Sequence, residues 1–175
     1  MKRITYLLLT TLIAISLNLS AQSPIDKIFD KYNGQSGFTS VTMNKSMFDM
    51  LSRMDASADG KEFVKAVSKL ESIRILAIDS AKNIGVNIYN EVMKVLPLKE
   101  YKELMTIKEN GRDVKFFVIE KGNIISELLL IAGGSGSDNA LIVIKGEIDL
   151  ASIGSIAKSM NINGMEHLGK MKEKK

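Results

Sequence analysis

The stretch from Gly133 to Asn139, GGSGSDN, has the glycine content of a loop that could cradle a phosphate. Such cradles need a helix N-terminus directly after the loop, together with a lysine or G-x-G-x-x-G spacing. This loop contains no lysine, and ALIVIKGEI, which reads as a strand, follows it. It therefore reads as a hairpin connection. A second candidate, DASADGKEFVKA, places Asp55, Ser57, Asp59 and Gly60 at positions one, three, five and six of a calcium loop. Position eight is Glu62, where an apolar residue packs, and position twelve is Ala66, where a bidentate glutamate is required. The plain reading is a loop and a helix cap. Met43, Met47, Met50 and Met54 lie within twelve residues, and clustered thioethers can ligate copper(I). Three of them also fall, with Leu51, on the stripe that a helix would turn inward, which favours core packing. His167 is the sole histidine, no G-x-S-x-G elbow accompanies any serine, and a surface histidine is the simpler reading. No catalytic, cofactor-binding or metal-ligating residue is assigned from these stretches.

Glu127 is the remaining residue of interest. It stands in SELLLIAGG, on a strand face otherwise apolar, where a carboxylate is rare unless partnered. If the hairpin closed by GGSGSDN is symmetric about Gly136, then Ile131 faces Leu141, Leu129 faces Val143, and Glu127 faces Lys145. A structural ion pair between Glu127 and Lys145 is expected, with acid–base work by Glu127 as the alternative. No second carboxylate is clearly placed beside it, so glycosidase-type pairing is unsupported.

The elements that would position these residues follow from periodicity. Ser23-Pro24 opens a helix carrying Ile25, Ile28, Phe29 and Tyr32, and Asn33-Gly34 ends it. GFTSVTM reads as a short strand, and Asn44 caps a helix with the inward stripe Met47, Met50, Leu51 and Met54. A helix with Phe63, Val67 and Leu70 precedes SIRILAID, a strand apolar on both faces. A further helix carries Ile84, Ile88, Tyr89, Val92 and Leu96, Pro97 stops it, and KEYKELM reads as a helical turn. From about Leu104 the period becomes two, and four strands meander. Asn110-Gly111 sets Glu109 opposite Arg112 and Lys108 opposite Asp113. Lys121-Gly122 or Gly122-Asn123 makes the next turn. On this reading one sheet face collects Met105, Ile107, Val114, Phe116, Val118, Ile125, Leu129, Ile131, Leu141 and Val143. The other collects Phe117, Ile119, Ile124, Leu128, Leu130, Ile142 and Ile144. Both faces must be covered. Asp149 caps a last helix with Leu150, Ile153, Ala157 and Met160.

The first 21 residues look like a signal peptide: Lys2 and Arg3, an apolar run of ~16 residues, and Ala21 before a cleavage point at Gln22. That run is short of the ~20 residues of a spanning helix, and no second one follows. No cysteine follows it, so a lipoprotein is not expected. Without Lys2 and Arg3 the basic residues fall from 24 to 22 against 20 acidic ones, too slight an excess to argue for nucleic acid. With no cysteine at all, stability must come from the core. Residues 22–169 are read as a single α+β domain, and 170–175, KMKEKK, as a basic tail.

FDKYNGQSGFTSVTMNKSMFDML, YKELMTIKENGRDVKFFVIEKGNIISELLLIAG and IKGEIDLASIGSIAKSM together resemble the domain of unknown function 4252 family of exported bacterial proteins. The resemblance runs from about Ile25 to Leu168 and implies an envelope or secreted protein, periplasmic or outside the cell, with no catalytic residues to carry over. The expectation is a single α+β domain: a mostly antiparallel sheet, a C-terminal four-strand meander plus one or two N-terminal strands, packed with several helices. The leading function is a non-enzymatic binding or structural module with a protein or surface partner, self-association included. The alternatives are a small-ligand binder or enzyme near Glu127, and peripheral membrane or glycan association through the basic tail.

Overall fold

The computed structural model describes residues 22–53, 64, 67–78, 85–134 and 139–149. The readings placed on residues 1–21, on the loop from Asp55, on Met54, Phe63 and Ile84, on residues 135–138 of the glycine-rich loop, on the last helix from Leu150, on His167 and on the basic tail lie outside that set.

The chain begins with α1 (Pro24–Tyr32), whose first turn is closed by Ser23 Oγ accepting from the Ile25 N–H at 3.2 Å. Asn33 caps its end, and Gly34 follows at φ +75°, a conformation open to glycine without penalty. β1 (Phe38–Asn44) runs directly into α2 (Lys45–Ser52), because Asn44 Oδ1 accepts from the Met47 N–H and caps the helix. β2 (Leu70–Ile78) follows, then α3 (Ile88–Val95), capped by Asn87 and stopped ahead of Pro97. β3 (Lys102–Glu109), β4 (Arg112–Lys121), β5 (Ile124–Gly134) and β6 (Ala140–Ile148) complete the described chain. Two expected helical pieces are strand instead. Leu70 opens β2 rather than closing a helix, and β3 begins at Lys102, inside the stretch read as a helical turn. In both, pairing with a neighbouring strand overrides local propensity.

The six strands form one antiparallel sheet in the order β1-β2-β6-β5-β4-β3, so the meander is extended by two N-terminal strands that join it through β6. The Asn110-Gly111 turn sets Glu109 against Arg112 and Lys108 against Asp113, and the β5–β6 hairpin sets Ile131 against Leu141 and Glu127 against Lys145. These are the registers that the turn residues dictate.

The division of the meander into faces differs from the sequence reading. Between β4 and β5 the pairs Lys121–Ile124 and Glu120–Ile125 are followed by Ile119–Glu127, leaving Ser126 as an extra residue on β5. This bulge reverses the phase of β5 against β4. Val114, Phe116 and Val118 therefore share a face with Leu128, Leu130, Ile142 and Ile144, while Phe117 and Ile119 lie with Leu129, Ile131, Leu141 and Val143.

The second of these faces is covered by α1 and α3 through Ile25, Phe29, Tyr32, Ile88 and Val92. Contact between α3 and β5 is close: a Cβ on Gly133 would stand 2.4 Å from Tyr89 Cβ. On the first face α2 packs against β1 and β2. Its inward residue is Phe48, 1% exposed, while Met47 and Met50 are 42% and 58% exposed. The inward methionine stripe is thus corrected. Burying one large aromatic on a short helix outweighs turning two thioethers inward, with ~1.5–3 kcal/mol for a fully buried Phe side chain.

Candidate functional site

Charged side chains gather where α1 crosses the sheet. Glu127 on β5 and Lys145 on β6 are cross-strand partners, and both point to the face that α1 covers. Lys145 Nζ lies 3.8 Å from Glu127 Oε2 and 3.5 Å from Asp26 Oδ2, so it bridges the sheet to the first turn of α1. Arg74, on β2 in the same phase as Leu76, donates from Nη1 to Asp26 Oδ1 at 2.8 Å, and its Nη2 lies 3.6 Å from Asp30 Oδ1. Its guanidinium also sits 4.1 Å from the centre of the Phe29 ring, a cation–π contact. On the other side, the Tyr101 hydroxyl donates to Glu127 Oε1 at 2.5 Å. Six residues from five parts of the chain thus form one connected network: Asp30, Arg74, Asp26, Lys145, Glu127 and Tyr101.

The network is partly shielded, with side-chain exposure of 13% for Glu127 and 22% for Arg74. Burial, reinforced by the hydrogen bond to Glu127 and by that carboxylate's charge, holds the Tyr101 hydroxyl far above the ordinary phenol range. Tyr101 is accordingly a neutral donor at physiological pH. Two further breaks in register adjoin the network: Glu71 is extra on β2 against β6, and β6 takes an extra residue near Gly146 against β5. With Ser126, these bulges lie together at one end of the Glu127–Lys145 pair, and bulges re-aim side chains beside them.

The sequence reading paired Glu127 with Lys145 and missed Tyr101, Asp26 and Arg74. Arg74 carried the same mark as Glu127, a charge within an apolar strand. Tyr101 was hidden in the stretch assigned to a helical turn, and Asp26 looked like an ordinary first-turn helix acid. Asp26 also supplies the second carboxylate that the sequence did not place. Lys145 engages both carboxylates, and each has another partner besides, so the cluster joins α1 to the sheet through mutually satisfied groups. Among the described residues no three Asp, Glu or His side chains gather as a metal set.

A second surface lies at the opposite edge from the meander. β1 is an outer strand of the sheet, with Val41 39% exposed. The next element, α2, presents Met47 and Met50 to solvent, and a hollow of about 540 Å³ there is lined, among the described residues, by Ser46, Asp49, Met50 and Arg53.

Residues 32–156 match the family described as Domain of unknown function (DUF4252). The chain belongs to this family. The DUF4252 match spans all six strands and α2 and α3, whereas Asp26 and Asp30 precede it. Neither the curated proteins nor the solved structures contain a match to the chain. Among the described residues no helix is long and apolar enough to cross a membrane.

Proposed function

We propose that this DUF4252 chain is an exported, non-enzymatic binding module of the bacterial envelope, and that it takes up an extended segment of a partner protein along β1. One contrast between the two outer strands carries the reading. β3 has Lys102, Glu103, Lys108 and Glu109 along its length and is broken by an extra residue at Leu104. Charges and bulges of this kind blunt an edge against further pairing. β1, Phe-Thr-Ser-Val-Thr-Met-Asn, has no charge and no proline, and it pairs with β2 in unbroken register over all seven residues. A flat, uncharged outer strand of high β-propensity is what strand addition requires. The network around Glu127 supports the non-enzymatic side of this reading, since its groups engage one another within the fold.

The test is a pull-down from the envelope fraction of the producing cell with the wild-type domain and with Val41→Lys. A partner recovered by wild type and lost with V41K supports the reading. A partner recovered equally by both places binding elsewhere, and liposome sedimentation with and without residues 170–175 then tests the basic tail.

A further inference from the structure

We infer that the segment added along β1 is β1 of a second copy of this chain, giving a two-fold dimer with one continuous twelve-stranded sheet. This rests on the reading of β1 as a binding edge and identifies its partner. An antiparallel pair of identical strands is isologous, so its residues must be compatible with themselves. The register that pairs all seven residues of one copy with all seven of the other is centred on Val41. It sets Val41 against Val41 of the second copy, Ser40 against Thr42, Thr39 against Met43, and Phe38 against Asn44.

Each of these pairs is uncharged, and hydroxyl pairs and β-branched pairs are favourable cross-strand neighbours. The nearest cation, Lys45, falls opposite Gly37 in this register, and it already pairs with Asp49 at 2.5 Å. No like charges meet. The same operation applied to β3 must likewise centre on a residue: on Met105 it sets Lys102 against Lys108, and on Thr106 it sets Glu103 against Glu109, like charges in either register, and the extra residue at Leu104 breaks the ladder as well. β1 is thus the outer strand whose backbone and side chains both accept a copy of itself.

The pairing also fixes the side on which the neighbouring helices stand. Val41 shares its sheet face with Met43, and Met43 and Phe48 of α2 belong to the same apolar cluster. Because the two-fold axis runs through the Val41 pair, the two α2 helices fall on the same side of the joined sheet. Each α2 leaves its strand at Asn44, so the two helices begin at opposite ends of the paired strands.

The chain contains no cysteine, which makes the geometry directly testable. Directly opposed residues of an antiparallel pair have Cα atoms ~4.5–5.5 Å apart, within the ~4.4–6.8 Å span of a disulfide. In the protein as recovered from the producing cell, Val41→Cys should oxidise to a covalent dimer. Thr39→Cys alone should not, whereas an equimolar mixture of Thr39→Cys and Met43→Cys should. In sedimentation, wild type should dimerise. V41K should weaken the dimer at least about tenfold by placing like charges in register, and its thermal midpoint should depend less on protein concentration than that of wild type. Mixing V41K with Val41→Glu should restore it. Ile124→Lys, an exposed apolar position away from β1, should leave it intact.

A chain that stays monomeric at its highest soluble concentration overturns the inference, as does a dimer that V41K leaves intact or T39C crosslinks by itself. If such a monomer still captures another protein in a Val41-dependent manner, the strand-binding reading stands and only the second copy is excluded. If nothing depends on Val41, both fall.

Discussion

The Tyr101 hydroxyl, which enters the sheet just ahead of β3, donates to a carboxylate two strands away on β5, Glu127. This bond continues through Lys145 and Asp26 to Arg74, so the first helix is held to the sheet by polar contacts as well as by Ile25 and Phe29. Hydrogen bonds to charged groups contribute ~1.5–3 kcal/mol, and a buried partner left alone adds its own desolvation cost. Tyr101→Phe is expected to lower unfolding free energy by ~1.5–3 kcal/mol, and Glu127→Gln by ~1–3 kcal/mol. The double variant should lose less than the sum, because the groups share one network. Urea denaturation of the four proteins checks this, and strict additivity would show that the network does not act as a unit.

Tyr101 also sets an alkaline limit. Its folded pKa is raised by burial, so the contribution is complete below the ordinary tyrosine value of ~10 and is lost as pH rises beyond it, while the unfolded chain ionises first. Stability should therefore decline above about pH 10, more steeply in wild type than in Tyr101→Phe. Glu91 behaves in the opposite sense. The Tyr32 hydroxyl, donating at 2.6 Å, holds its carboxyl below the usual range, with Lys31 adding to the effect. That contribution is complete above the ordinary glutamate value of ~4.3 and fades as pH falls below it. Glu91→Gln should flatten the acid limb of a thermal-midpoint profile, and Tyr101→Phe the alkaline limb.

Phe48 and the methionines of α2 make opposite predictions. Phe48→Ala should cost ~3–5 kcal/mol, since it removes a fully buried aromatic from the core. Met47→Ala and Met50→Ala should each stay within ~0.5 kcal/mol of wild type, as exposed positions do. Comparable losses at all three positions in a denaturation series would restore the inward methionine stripe.

Two glycines of positive φ separate conformation from close approach. Gly122 stands at φ +64° with open space around it, and Gly122→Ala should cost ~1–2 kcal/mol, the ordinary penalty of a left-handed residue. Gly146 stands at φ +136°, and an added Cβ would lie 2.5 Å from the Lys69 carbonyl oxygen and 2.7 Å from Leu70 Cα. Backbone must move there, and Gly146→Ala should cost more than ~2 kcal/mol. Equal thermal shifts for the two variants would contradict the close packing of β6 on β2.

Much of this arrangement is legible in the sequence because turns set registers. Asn110-Gly111 and the loop after Gly134 fix which residues face one another, and the Glu127–Lys145 opposition follows directly. The sheet faces were not legible, because a period-two count assumes that phase is kept across a turn. Ser126 breaks it with no mark in its residue type. Tyr101, Asp26 and Arg74 could not be joined to Glu127 for a related reason. Arg74 and Asp26 come from elements whose neighbours depend on the non-local pairing of β2 with β6, which no local pattern records, and Tyr101 stands at the entry to β3, in the stretch read as a helical turn.

That pairing has a consequence for biogenesis. Ile73 finds Ile144 about two-fifths of the chain away, so during synthesis β1 and β2 emerge long before the strand that anchors them exists. A nascent chain must hold its least charged ribbon open to solvent until the final tenth of the sheet-forming sequence arrives, and contacts that close so late fold slowly. The interval in which misassembly threatens this protein is therefore set by the position of β6 in the gene product, and it is longest for the strand most ready to join a stranger.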